Sequence, residues 1–335
     1  MKTLSLYKNN FYIRNNSIVL RVAAVFLATL SVVSVSQAQE ESPYQIPRTE
    51  HGDPDFQGVW MTAFITTLER PNSFSSLIVT EEEAEQFVAG YQSNFAAGNR
   101  DPEFAWAPPL KLTKVKGQFR SSIIVHPEDG KIPYSEAGLA VLVAAIRQIQ
   151  EGYDGVEQRP LGERCLSGFG SPPMRAAPVE MPRLIVQNKD NLVLYTEQGG
   201  GTRIIRVGAK PETEDKRSYD GYSVGHWEGD TLVVETNLFR DDIPQRLTIG
   251  RFVLISEDTK VTERFTRVAD DELNYQFTVE DNTLYSEAWS GEFSLNWMGG
   301  MTYEFSCHEG NYALPGILRG GLLQQAERAS SNSYR

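Results

Sequence analysis

The chain has few of the residues and patterns that usually identify a function. It contains 2 cysteines and 4 histidines in 335 residues. No Gly-rich phosphate loop, His-Glu-x-x-His, Cys-x-x-Cys or Gly-x-Ser-x-Gly occurs, which removes the motif-level case for nucleotide, zinc-protease, thiol-redox or nucleophile-elbow chemistry. The histidines His51, His126, His226 and His308 are scattered. A zinc site needs about three or four placed N, S or O ligands, and no acidic loop follows an EF-hand pattern. The residues therefore predict no metal site and no cofactor. Past residue 38 no run of about 18 apolar residues could span a bilayer.

Basic charge is also scarce. Lys+Arg number 32 against 44 Asp+Glu. Lys2, Lys8, Arg14 and Arg21 lie in the first 38 residues, before an apolar stretch from Val22 to Val35 and the small residues of Ser36-Gln37-Ala38. That order reads as a secretory signal cut after Ala38, the alternative being an uncleaved anchor. Cleavage leaves 28 basic residues against 44 acidic ones, a net charge of about −16. Such a surface repels phosphate backbones, and no basic patch interleaved with aromatics offsets it, so nucleic acid is not an expected partner. A periplasmic or secreted protein, without membrane insertion after signal removal, is the expectation. The oligomeric state is not legible.

What is present is alternation. Leu273, Tyr275, Phe277 and Val279 take one face of a strand while Asn274, Gln276, Thr278 and Glu280 take the other, the period of a half-buried strand. Turn signals such as Lys189-Asp190-Asn191, Glu228-Gly229-Asp230, Asp281-Asn282 and Gly299-Gly300 punctuate the chain from Arg183 to Cys307. The pattern predicts a mainly β fold, an antiparallel meander closing as a lipocalin-like barrel or packing as a sandwich. Residues 39–321 read as one domain, with a polar tail over 322–335.

Two amphipathic helices are expected in the N-terminal half. Thr80-Glu81-Glu82-Glu83 is a capping box opening a helix over about 81–97, with Ala84, Phe87, Val88, Tyr91 and Phe95 on one stripe. Ser135 caps a second over about 136–151, with Leu139, Leu142, Val143, Ile146 and Ile149 inward. A first strand is expected within Asp53–Thr67 and another over Arg120–Val125. Phe104-Ala105-Trp106-Ala107-Pro108-Pro109 reads as a loop. The long Pro-, Gly- and Arg-containing stretch from Gly155 to Pro182 is of the kind that forms lids or binding loops.

Cys165 and Cys307 in an exported chain suggest one disulfide, with two separate buried thiols as the alternative. Cys307 continues the apolar alternation Met301, Tyr303, Phe305, as on a last strand. The candidate acid–base residues are Glu263, His308 and Glu309. Strand parity puts Glu263 on the face of Val261 and Phe265, where a carboxylate needs a partner or a raised pKa. An inward arginine such as Arg206 or Arg164 would make it structural instead. His308 titrates near neutrality beside Glu309, and Gly310 would allow the turn that lets them cooperate; a strand exit is the plainer reading. Arg164 is a candidate for holding a ligand anion, and Tyr275, Phe277 and Trp297 for lining an apolar cavity, with core filling as the alternative. His226-Trp227-Glu228-Gly229-Asp230 reads as a hairpin.

These segments carry a resemblance. Asp53-Pro54-Asp55-Phe56-Gln57-Gly58-Val59-Trp60, Pro160 through Leu166, Ser223 through Thr236, Val261 through Phe265 and Cys307 through Tyr312 make the chain similar to a widespread family of secreted bacterial proteins. The resemblance implies export and supplies no catalytic residues. Where this chain has His226 that family more often has Arg, and it tends to have Pro where Ala288 precedes Trp289. Gly58-Val59-Trp60 also resembles the opening of lipocalin-like barrels, which implies a cavity for a small, largely apolar ligand. An enzyme of the lyase, isomerase or hydrolase kind and an envelope assembly factor are the competing readings.

Overall fold

A computed structural model describes residues 44–98, 110–199, 201–210, 212–248 and 251–332. Residues 1–38, read as a signal, residues 104–109, read as a loop, and the side chain of Phe95 lie outside the described residues. Among those described, no helix is long and apolar enough to cross a membrane.

The alternating segments form a closed barrel of nine strands. They are β1 (Gly58–Thr62), β6 (Met181–Gln187), β7 (Asn191–Thr196), β8 (Gly201–Val207), β9 (Tyr222–Glu228), β10 (Thr231–Asn237), β13 (Lys260–Ala269), β14 (Glu272–Glu280) and β15 (Trp289–Trp297). They pair in that order, and β1 returns to β15 through Trp60↔Trp297 and Met61↔Asn296. A closed ring with an odd number of strands cannot be antiparallel throughout. One parallel pair resolves the parity: β8 runs alongside β9 through Ile205↔Ser223, Arg206↔Val224 and Val207↔Gly225. The expected antiparallel meander is corrected at this one step, because parallel neighbours cannot be joined by a hairpin. The Glu228-Gly229-Asp230 turn does join β9 to β10, with Gly229 at φ +60°, a conformation glycine adopts at little cost.

The interior is filled. Trp60, Ile185, Leu194, Ile205, Leu232, Val234, Phe265, Tyr275, Phe277, Trp289 and Phe293 are each at most 3% exposed. Phe265, Phe277 and Phe293 have ring centroids 4.9–5.8 Å from that of Tyr275. The two strands β11 (Gln245–Thr248) and β12 (Arg251–Leu254) form a separate hairpin between β10 and β13 in sequence.

The N-terminal elements pack around the barrel. Strands β2 (Ile78–Val79), β3 (Lys114–Val115) and β4 (Gln118–Arg120) make a small sheet, and β5 (Ile124–His126) adds to β15. The expected strand at Arg120–Val125 is thus the end of one strand and the start of another, separated by Ser121-Ser122-Ile123. Helix α1 (Glu81–Gly98) opens with the capping box: Thr80 Oγ1 accepts from Glu83 N–H at 3.2 Å, and Thr80 N–H donates to Glu83 Oε2 at 2.8 Å. Ala84, Phe87, Val88 and Tyr91 cover a satellite core with Ile65, Val79 and Leu112. Helix α2 (Glu136–Glu151) is capped by Ser135. Its inward stripe is rotated from the expected one, since Leu139 and Val143 are half exposed while Gly138 and Ala145 are buried. The cause is Gly138, which approaches so closely that a Cβ would lie 2.0 Å from Leu284 O. The small-residue side therefore faces in.

The last expected strand does not form. Residues 299–306 pair with no sheet, and Met301 and Tyr303 are about two-thirds exposed. The alternation there is real but has no free barrel edge to join, because β1 and β15 have already closed the ring. Helix α3 (Ala313–Asn332) follows and runs through most of the polar stretch read as a tail.

Candidate functional site

Two groups of buried polar residues occupy the barrel. The first is inside it. Glu263 is fully buried, and Arg203 Nη1 donates to its Oε1 at 3.0 Å while Arg203 Nη2 donates to Oε2. Tyr275 O–H donates to Oε1 at 2.8 Å. Arg203 also donates to Ser223 Oγ and Thr236 Oγ1, each at 2.9 Å. Each charged atom has a partner, as burial of an ion pair requires. Burial alone would lower the Arg203 pKa, but the charge and hydrogen bonds of Glu263 outweigh it and the net direction is up. Burial first, and then the Glu263 charge, hold the Tyr275 phenol well above its ordinary range. Glu263 thus has the inward arginine that its strand phase demanded. It is Arg203 rather than Arg206 or Arg164, and its own phase, Arg203-Ile205-Val207, could have identified it. Tyr275 and Phe277 are core residues of the filled interior, 0% and 3% exposed. Trp297 is 45% exposed and lies over Gly58, where a Cβ would be 2.1 Å from its ring.

The second group lies where the segment 167–176 closes one end of the barrel. Met174 N–H donates to Tyr275 Oη at 2.7 Å. Gly170 sits against Thr196, whose Oγ1 would be 2.4 Å from an added Cβ. The long Gly155–Pro182 stretch is therefore an ordered plug, and it is fastened at several points. Ser167 and Ser171 both donate to Asp220 Oδ1, at 3.2 and 2.5 Å. Arg159 pairs with Glu163 and donates to the Ile149 and Gly152 carbonyls at the end of α2. A disulfide joins Cys165 to Cys307 across 142 residues. Closing a loop of that length contributes about 4–5 kcal/mol in the chain-entropy model. Asn311 Nδ2 donates to the Glu163 carbonyl at 2.8 Å, tying the chain after Cys307 to the same loop.

Between the plug, the β11–β12 hairpin and the disulfide lies a cavity of about 410 Å³. Ile149, Pro160, Leu161, Phe169, Leu247, Phe252 and Phe305 supply most of its wall, with Arg175, Arg246, Gln245, Gln198 and Glu163 as its polar members. Arg175 is stacked on Phe169, 4.8 Å from the ring centroid. Its Nη1 donates to Leu247 O at 3.1 Å and its Nη2 to Gly168 O. Arg246 donates to the carbonyls of Ile243, Gln245 and Tyr219. Burial, and then the neighbouring Arg246 charge, lower Arg175 to about 9. Burial lowers Arg246 to about 10. Both remain cationic at neutral pH.

Arg164 is half-buried in the plug and does not line the cavity. His308 and Glu309 are exposed on the turn after Cys307, and neither lines it. His226 is exposed on β9, 3.3 Å from Glu228. Arg175, Arg246, Gln245 and Phe169 carry no sequence signal that separates them from ordinary loop and hairpin residues. Among the described residues no group of three or more His, Cys, Asp or Glu side chains could hold a metal ion. No family model matches the chain, and no curated protein matches it.

Proposed function

We propose that this protein is exported and binds a small, largely apolar ligand, in the cavity at the plugged end of the barrel and not inside the barrel. The observation that carries this reading is the 410 Å³ space walled by Leu161, Phe169, Leu247, Phe252 and Phe305 and fixed by the Cys165–Cys307 bond. Its size falls within the roughly 300–1,000 Å³ of small-molecule sites, and a mainly apolar wall with a few polar groups is their usual composition. A lipocalin-like barrel would hold its ligand in the calyx. Here Trp60, Tyr275, Phe277 and Trp289 occupy that volume, so binding is displaced to the end. Export agrees with the disulfide, which persists in oxidising compartments, and with the resemblance to secreted bacterial proteins. An acid–base role for Glu263 would require it to leave Arg203 and Tyr275, which makes the enzyme reading the weaker one.

Two measurements test the proposal. Native mass spectrometry of the protein from its own host, before and after denaturation, is expected to show a small molecule lost on unfolding. N-phenyl-1-naphthylamine is expected to brighten on binding, with affinity reduced several-fold in Phe305→Ala. Phe305 is 44% exposed and outside any regular element, so its truncation spares the fold. A clean apo mass together with an unresponsive probe would end the proposal.

A further inference from the structure

The polar part of the cavity wall bears excess positive charge. Arg175 and Arg246 are 9% and 3% exposed, and Arg183, fully buried, donates to the Arg175 carbonyl. Among the described residues none of the three forms an ion pair; their partners are neutral carbonyls and the hydroxyl of Thr62. Asp220 acts on Arg175 and Arg246 from a distance, but both plug serines donate to it. Asp242 acts on Arg246 and is itself bound to Arg240 and Tyr219. Glu163, the carboxylate in the wall, is paired with Arg159. The two cavity arginines are therefore offset only from a distance, by Asp220 and Asp242, both already hydrogen-bonded to other groups, and among the described residues no carboxylate acts on Arg183.

Buried charges are ordinarily paired, as this protein pairs Arg203 with Glu263. The same wall also holds polar atoms without hydrogen-bond partners: Arg175 Nε, Gln198 Oε1 and both amide atoms of Gln245. Leaving a buried polar atom unpaired is costly, and each such atom calls for an explanation, an ion that completes its bonding being one. A mainly apolar wall that also carries two arginines without an ion pair and an unsatisfied amide is complementary to a molecule with an apolar body and an anionic head.

We infer that the ligand of this cavity is an amphipathic anion, whose apolar body lies against Phe169, Leu247 and Phe305 and whose anionic oxygens supply the counter-charge missing around Arg175 and Arg246. This rests on the cavity being the binding site. A carboxylate and a phosphate monoester share the required chemistry.

The test compares three probes of one shape by calorimetry on the full chain: naphthalene-1-acetate, 1-naphthyl phosphate and the neutral naphthalene-1-acetamide. At least one anion is expected to bind tenfold or more tightly than the amide, and which anion does so names the head group. Phe305→Ala is expected to weaken anion and amide alike, placing both in the cavity. Arg246→Met is expected to bring the anion-to-amide ratio near one while leaving the amide little changed. Should that variant not fold, Arg175→Met read in the same way takes its place, with the wild-type ratio as the reference. Equal binding of amide and anions would overturn the inference and leave the site intact. Binding of none of them, with N-phenyl-1-naphthylamine also silent, would overturn both. Anion binding unaffected by Phe305→Ala would place the anion elsewhere and overturn the inference as well.

Discussion

Arg203, in a barrel strand, and Arg246, in the neighbouring hairpin, are both buried arginines, yet their surroundings are opposite. Arg203 has a bidentate carboxylate, two hydroxyls and a tyrosine behind that carboxylate. Arg246 has three carbonyls and a cavity. A closed network fixes strand positions and leaves nothing to bind. An open one costs stability in the free protein and can recover it from a ligand. Placed side by side, they separate a structural use of buried charge from a recognitive one.

The most severe way to break the comparison is to open the closed network. Glu263→Gln leaves Arg203 buried without a counter-charge and is expected to cost about 3–5 kcal/mol in urea denaturation. The double variant Arg203→Met with Glu263→Leu is expected to cost less than Glu263→Gln alone, since no orphaned charge remains. A single variant no worse than the double would mean that the network is not closed. Cutting the frame of the cavity comes next. Cys165→Ser with Cys307→Ser is expected to lower stability by about 2–5 kcal/mol and to weaken N-phenyl-1-naphthylamine binding, whereas the Glu263 variants, if folded, leave it unchanged. Arg175→Met removes an uncompensated charge while freeing carbonyls, and is expected to cost only about 1–3 kcal/mol. A larger loss than that of Glu263→Gln would reverse the assignment of the two groups.

The smallest expected effect is on pH. Arg175 and Arg246 have pKa values lowered to about 9 and about 10, Arg175 by burial and then by the Arg246 charge, Arg246 by burial. Between about pH 6 and 8 both are protonated and the probe carboxylate is ionised, so affinity for naphthalene-1-acetate should be flat there. As pH rises through about 9 to 10 the free protein loses those protons, binding must take them up again, and affinity falls. The amide should show no such decline. The groups that set this response are Asp220, Arg183, Asp242, Tyr219 and the two arginines themselves.

Local patterns were readable from the chain wherever a period or a cap decides the outcome. Leu273 through Val279 alternate as the pleat requires, Thr80 and Glu83 form their capping box, and the parity of Val261 and Phe265 turned Glu263 inward. What escaped depends on closure, which has no local signature. Residues 301–305 alternate like a strand but find no edge. The parallel step from β8 to β9 follows from the number of strands in the ring. The rotation of α2 comes from one glycine meeting a carbonyl of a distant loop. The candidate site was the least legible part. Its wall is drawn from α2, the plug, the hairpin and the segment around Cys307, and no single stretch of sequence brings these together. Only the disulfide pairing and the reading of residues 155–182 as a lid or binding loop pointed toward it.

The parallel step has one more consequence. Its ladder has three residue pairs, and the β1–β15 seam has two. Cut at both, the ring falls into two half-shells, β1-β6-β7-β8 and β9-β10-β13-β14-β15. Arg203 belongs to the first, while Ser223, Thr236 and Glu263 belong to the second. The buried ion pair is thus a rivet between the two half-shells, on the side of the parallel join. Any motion that opens the barrel like a hinged shell must draw that rivet first.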